Sequence, residues 1–166
     1  MFDLVTADYT LSEVFSSYSE ILCVKYINNN VLINNHIKKF LEIIISSVAT
    51  DEFLEYLYKN ISSSMEEKNN KWESINKKYN IVTSKKWYND MKRIKYPYHC
   101  INYAIAYIST LYSYSNASIS KYYRLKDDYN YSTYMDIIKN NNLGNPFVLK
   151  TYKDICKDVR RILHES

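Results

Sequence analysis

The sequence predicts an all-α protein, and three observations carry that prediction. Glycine is almost missing. Gly144 stands alone, and Pro97 and Pro146 are the two prolines in 166 residues, where average usage would supply roughly twelve and eight. Hairpins, bulges and tight βα turns draw on glycine, so a chain this poor in it favours helices. Apolar residues recur at helical spacing along most of the length. Polar runs such as Asn28-Asn29-Asn30 separate the stretches. The expected architecture is a compact antiparallel bundle of six to eight helices. It surrounds a central apolar helix near Pro97–Tyr114 and forms a single domain over 1–166.

The first helix is signed by Thr10 and Glu13 at capping-box spacing. Leu11, Val14, Phe15, Tyr18 and Leu22 follow on one face. A second helix is expected from about Val31, striped by Ile33, Ile37, Phe40, Leu41, Ile44 and Val48 and ending over Ser46–Thr50. The β-branched run Ile43-Ile44-Ile45 has strand character, but the periodicity on both sides argues for helix. Thr50 is the expected N-cap of a third element, with Asp51 and Glu52 in a first turn whose dipole favours acids. Its stripe is Phe53, Leu57, Ile61 and Met65, then Trp72, Ile75 and Tyr79, with a break near Ser62–Ser64 or Asn69-Asn70. Ser84 is expected to cap a short helix carrying Trp87, Met91 and Ile94.

Pro97 suits the first position of the central helix. Ile101, Ala104, Ile105, Ile108, Leu111 and Tyr112 form its stripe, and Ala106 and Ser109 keep its other faces small. Shorter helices are expected near Ala117–Lys126 and Thr133–Asn140. Gly144 reads as a helix-ending turn. Asn145 and Pro146 read as N-cap and first residue of a last helix striped by Tyr152, Ile155, Cys156, Val159 and Leu163.

Composition bounds the function more than it names it. Tyr, Asn, Ile and Lys are over-used together, and their codons are AT-rich. That bias suggests a large DNA virus, a low-GC bacterium or phage, or an AT-rich parasite. The net charge of +4 is uneven. Residues 1–60 carry four Lys against eight acids, residues 61–100 nine Lys/Arg against four, and residues 101–166 nine against six. Cys23, Cys100 and Cys156 are too scattered for a disulfide framework or paired metal motif. The N-terminus has no signal-peptide pattern, and apolar runs fall short of the ~20 residues that span a bilayer. An intracellular protein, cytoplasmic or nuclear, is the expectation.

The chemistry-bearing patterns are few. Phosphate loops of the P-loop or dinucleotide type need several glycines. No H-E-x-x-H, C-x-x-C or E-x-x-H pair is present, so no metal and no cofactor are expected. His36 is placed on the polar side of its helix. His99-Cys100 is adjacent, but neighbours on a helix diverge and do not form a dyad. Asp127-Asp128 reads as a charged turn. No catalytic residue is nominated.

Three surfaces remain. Eleven of nineteen tyrosines fall between Tyr96 and Tyr134, and tyrosine is enriched at interface centres. Tyr112, Tyr114, Tyr122, Tyr123, Tyr129, Tyr131 and Tyr134 are therefore the candidate partner-binding residues, some expected exposed and close together. Two basic helix faces, Lys85–Lys95 and Lys150–Arg161, offer an alternative. There Lys85, Lys86, Lys92, Arg93, Lys153, Lys157, Arg160 and Arg161 could neutralise phosphates. In size and central helix the expected bundle is similar to the Bcl-2-like bundles with which several large-virus families bind host proteins, an analogy of fold alone. The Asn-Trp-Gly-Arg signature of that group is absent. The leading expectation is a non-enzymatic module that binds a protein partner. The alternative is a nucleic-acid-binding protein.

Overall fold

The computed structural model describes residues 4–89, 94–96, 98–129 and 133–165. Seven α-helices account for most of them: α1 Leu4–Ile27, α2 Asn30–Lys59, α3 Met65–Lys78, α4 His99–Tyr112, α5 Ile119–Asp128, α6 Tyr134–Asn140 and α7 Leu149–Glu165. Short 3-10 turns lie at Trp87–Asn89 and Tyr114–Asn116. The described residues contain no strand, so the protein is all-α. No helix among them is long and apolar enough to cross a membrane. The chain gathers into two compact units, one of residues 1–42 and 105–166, the other of residues 43–104.

In the first unit α1 packs against α5 and α6. Leu11, Val14, Tyr18 and Ile21 of α1 are buried, as are Ile37 and Phe40 of α2, Leu125 of α5 and Ile137 and Ile138 of α6. The α4 segment from Ala106 to Leu111 is buried at every position, while Ile105 is half-buried. Small polar groups let helices close on one another there. Ser17 Oγ donates to the Glu13 carbonyl (2.7 Å) and accepts from Thr110 Oγ1 (3.1 Å). Two lysine amines are tied to oxygens of the same unit. Lys25 Nζ donates to the carbonyls of Tyr114, Ser115 and Ala117, at 3.2, 2.9 and 3.3 Å. Lys121, buried, donates to Asn116 Oδ1 and the Asn142 carbonyl. Burial lowers both amine pKa values.

The second unit is a smaller helical assembly. Ala49 and Phe53 of α2 and Ile75 of α3 form its core, with Tyr56, Leu57, Trp72, Tyr79, Ile81 and Trp87 packed around it. Ser64 starts α3 with a capping box: its hydroxyl accepts from Glu67 N, and the Glu67 carboxylate accepts from Ser64 N (2.7 Å). Asn80, at φ 53°, turns the chain after α3.

Several local expectations are corrected. Helix α1 begins at Leu4, so Thr10 lies inside a helix, and it is buried there. Thr50 does not start a helix. Its hydroxyl donates back to the Ser46 carbonyl (2.7 Å) within an unbroken α2, a bond that satisfies Thr without a cap. The expected helix at Lys85–Lys95 is not formed at its start. Residues 81–86 have no regular structure, and Thr83 Oγ1, not Ser84, accepts a backbone N–H, that of Lys85 (3.0 Å). Met91, Lys92, Arg93, Pro97 and Tyr131 lie outside the described residues.

Gly144 does not turn a helix end. The left-handed residue there is Asn142, at φ 49°, and Gly144 has no positive φ. It is needed for close approach instead. Its N–H donates to the Ser109 carbonyl (3.0 Å), and a Cβ would stand 2.5 Å from Tyr112 Cβ and 2.7 Å from Thr151 Cγ2. Asn145 does not cap α7 either. Its Oδ1 accepts from Phe147 N (2.9 Å) in an Asx turn, and α7 starts at Leu149. The buried face of α7 is Thr151, Ile155 and Val159, whereas Tyr152 and Cys156 face outward.

Candidate interaction surface

The tyrosines expected to form a surface are mostly packed inside the first unit. Tyr114 is buried, and burial pushes its hydroxyl up to about 12. Tyr134 spends its hydroxyl on Ser109 Oγ (2.6 Å), and burial raises it to about 12 too. Tyr122 and Tyr129 set their rings edge-on to Phe15, with centroids 5.9 and 5.4 Å away. Tyr122 also stacks on Tyr18 at 6.3 Å. Tyr112 is half-buried beside Gly144. Tyr123 alone of the described six is exposed.

His36 is likewise internal, only 8% exposed, which corrects its placement on a polar face. The ring lies 4.3 Å from Phe40 and 6.1 Å from Tyr114, and Nε2 stands 3.4 Å from Glu20 Oε2. Desolvation lowers its pKa, and the Glu20 hydrogen bond opposes that shift. Sequence spacing missed it because a histidine can close a core through one carboxylate at the rim. His99 packs edge-on to Tyr103 at 5.4 Å, and Cys100 is buried. Among the described residues no group of three His, Cys, Asp or Glu could hold a metal ion.

Helix α7 carries an exposed face of mixed chemistry. At 3.6 residues per turn, Thr151, Ile155, Val159 and Ile162 share one side of this helix. Lys150, Lys153, Lys157 and Arg160 share the opposite side, all exposed. The two borders between these sides differ in chemistry. One carries Asp154 and Asp158; the other carries Leu149, Tyr152 and Cys156, at i, i+3 and i+7. Leu149 is 69% exposed, Tyr152 40%, and Phe147 in the preceding turn 69%. Tyr152, Lys153, Cys156, Lys157 and Arg160 line a shallow depression. The Tyr152 hydroxyl donates to the Pro146 carbonyl (2.6 Å), which anchors the ring over the start of the helix.

The basic residues of α7 are not equivalent. Arg161 is held by Asp158 Oδ1 (3.3 Å) and by Ser115 Oγ (2.9 Å), so it serves the fold. Lys150, Lys153, Lys157 and Arg160 enter no ion pair with the described residues. Of the other basic segment, Lys85 and Lys86 are exposed, but in irregular backbone of the second unit. Lys153, Lys157 and Arg160 fall together on one exposed side of α7; Phe147 and Leu149 were not among the sequence candidates. Their signal was the apolar run Phe147-Val148-Leu149 between Pro146 and Lys150. Its exposure depends on where α7 begins.

No family model matches the chain, and neither do curated proteins or solved structures, so the functional reading rests on these side chains.

Proposed function

We propose that the protein is a non-enzymatic interaction module whose α7 docks an acidic, amphipathic segment of a protein partner. One observation carries this reading: an exposed apolar border, Phe147, Leu149, Tyr152 and Cys156, runs beside an unpaired cationic stripe, Lys150, Lys153, Lys157 and Arg160. Exposed apolar area gains by burial, and the stripe favours carboxylates beside that area. A nucleic acid would answer the stripe and leave Leu149 uncovered. It would also meet the carboxylates of Asp154 and Asp158 along the other border.

The test compares ligands on one protein. Fluorescence anisotropy of a dye-labelled helical peptide, with Leu or Phe on one seam and Glu along its edge, reports its binding. Single-stranded DNA and anionic vesicles are titrated in parallel. Peptide binding that survives moderate salt, and weakens on both Leu149→Ser and Lys157→Glu, is expected. Binding to DNA that falls steeply with salt, with none to the peptide, favours the nucleic-acid reading. Binding to vesicles alone overturns both.

A further inference from the structure

The second unit holds a cleft of about 490 Å³ that the α7 surface does not use, a size ordinary for a small-molecule site. Phe53, Trp72 and Trp87 line it, together with Asn76, Lys85 and Lys86. The Phe53 ring lies 5.0 Å from Trp72 at 64° and 5.6 Å from Trp87 at 55°, so three aromatic rings meet at different inclinations. Both indole N–H groups are already spent. Trp72 Nε1 donates to the Lys85 carbonyl (3.2 Å), and Trp87 Nε1 donates to Asn69 Oδ1 (2.9 Å). These bonds fix the rings as walls.

Asn76 is the unusual member. It is 7% exposed. Its Nδ2 donates to the Trp72 carbonyl (2.9 Å), which sets the amide orientation. Its Oδ1 is buried and meets no donor among the described residues. An unmet buried acceptor destabilises the fold, a cost relieved when a ligand supplies an N–H. Among the described residues, Lys85 and Lys86, both exposed, are the charged residues lining the cleft, and none of its described lining residues is a carboxylate.

We propose that this cleft binds a nucleotide. The planar base lies against the aromatic walls, where base–aromatic stacking is favourable. An N–H of the base meets Asn76 Oδ1, and the phosphate sits between the amines of Lys85 and Lys86. Each alternative leaves one feature idle. A fatty acid brings an anion but no N–H for Asn76, and a neutral aromatic amide brings nothing for two lysines. The same chemistry comes either from a free mononucleotide or from one nucleotide of a single strand.

The test titrates the full chain with AMP, adenosine, ribose 5-phosphate, octanoate and a short oligodeoxyadenylate, following tryptophan fluorescence. AMP is expected to bind more tightly than adenosine or ribose 5-phosphate. The K85E/K86E double variant should weaken AMP about tenfold or more, the equivalent of ~1.4 kcal/mol, and leave adenosine unchanged. Asn76→Leu should weaken AMP and adenosine alike. Lys85 and Lys86 are exposed, so their variant decides the matter even where Asn76→Leu costs the fold. An oligonucleotide that outbinds AMP, with the same dependence on Lys85 and Lys86, identifies a strand as the source; otherwise the source is the free nucleotide. The proposal is overturned if neither AMP nor the oligonucleotide binds at millimolar concentration, if octanoate binds as tightly as AMP, or if AMP is indifferent to the lysine reversal. Lys157→Glu on α7 must leave AMP binding intact, so failure here and failure of the α7 surface are separable.

Discussion

The tyrosine-rich stretch at 112–134 and the outer face of α7 belong to the same unit and look alike in sequence: aromatic residues interleaved with lysines. They are used in opposite ways. In the first, Tyr114 is buried, Tyr134 is tied to Ser109, and Tyr122 and Tyr129 pack on Phe15. Even Lys121 is drawn inward. In the second, Phe147, Leu149 and Tyr152 stand out beside four cations. The difference lies in the supply of internal partners. Tyr and Lys go inside where a carbonyl, hydroxyl or ring edge waits for them, and amphipathic side chains allow this. On α7 the inner face is already filled by Thr151, Ile155 and Val159, so the remaining aromatic and cationic groups stay outside.

That contrast can be broken by substitution, the largest effects first. Ile108, buried in α4, should cost about 2–5 kcal/mol as Ile108→Ala, read as a shifted denaturant midpoint; little shift would place α4 at a surface. Gly144→Ala should cost about 1–3 kcal/mol, because its new Cβ meets Tyr112 Cβ, which cannot swing away. Tyr134→Phe should lose about 1 kcal/mol with the Ser109 bond, whereas Tyr123→Ala should stay within about 0.5 kcal/mol. Equal losses at the two positions would erase the inside–outside distinction drawn here.

His36 sharpens the comparison through pH. Its pKa is lowered in the folded state by desolvation, so the unfolded chain takes up its proton first. The stability contribution is therefore complete above the unfolded value of about 6.5 and is lost as pH falls below it. Wild-type protein should lose stability between pH 7.5 and 5.5, and His36→Gln should lose less; identical slopes would mean the ring is not held neutral. The smallest stability change should come from Lys153→Glu with Lys157→Glu, within about 0.5 kcal/mol, while peptide binding falls about tenfold or more.

Much of this was legible in the residues, and the failures share a cause. Scarce glycine and helical spacing predicted an all-α chain, and the helices expected near Ala117–Lys126 and Thr133–Asn140 form as α5 and α6, each behind a hydroxyl cap, Ser118 and Thr133. The stripe of α7 was half right, because Ile155 and Val159 point inward while Tyr152 and Cys156 do not. A later helix start does not change the period, only which neighbours it meets. Thr50 looked like a cap because a hydroxyl before two acids fits one; the hydroxyl instead donates to the Ser46 carbonyl. His36 beside Glu20 and the Gly144 approach are contacts between distant segments, and no local pattern encodes them.

The single glycine has a meaning in the language of codons. Every residue reachable from a glycine codon by altering either of its first two bases carries a Cβ, and changes to A or T there give Ser, Arg, Cys, Trp, Asp, Glu or Val. With Tyr112 Cβ and Thr151 Cγ2 closing on that spot, none of those exchanges has room. The one glycine of this chain stands at position 144, at a limit set by atoms.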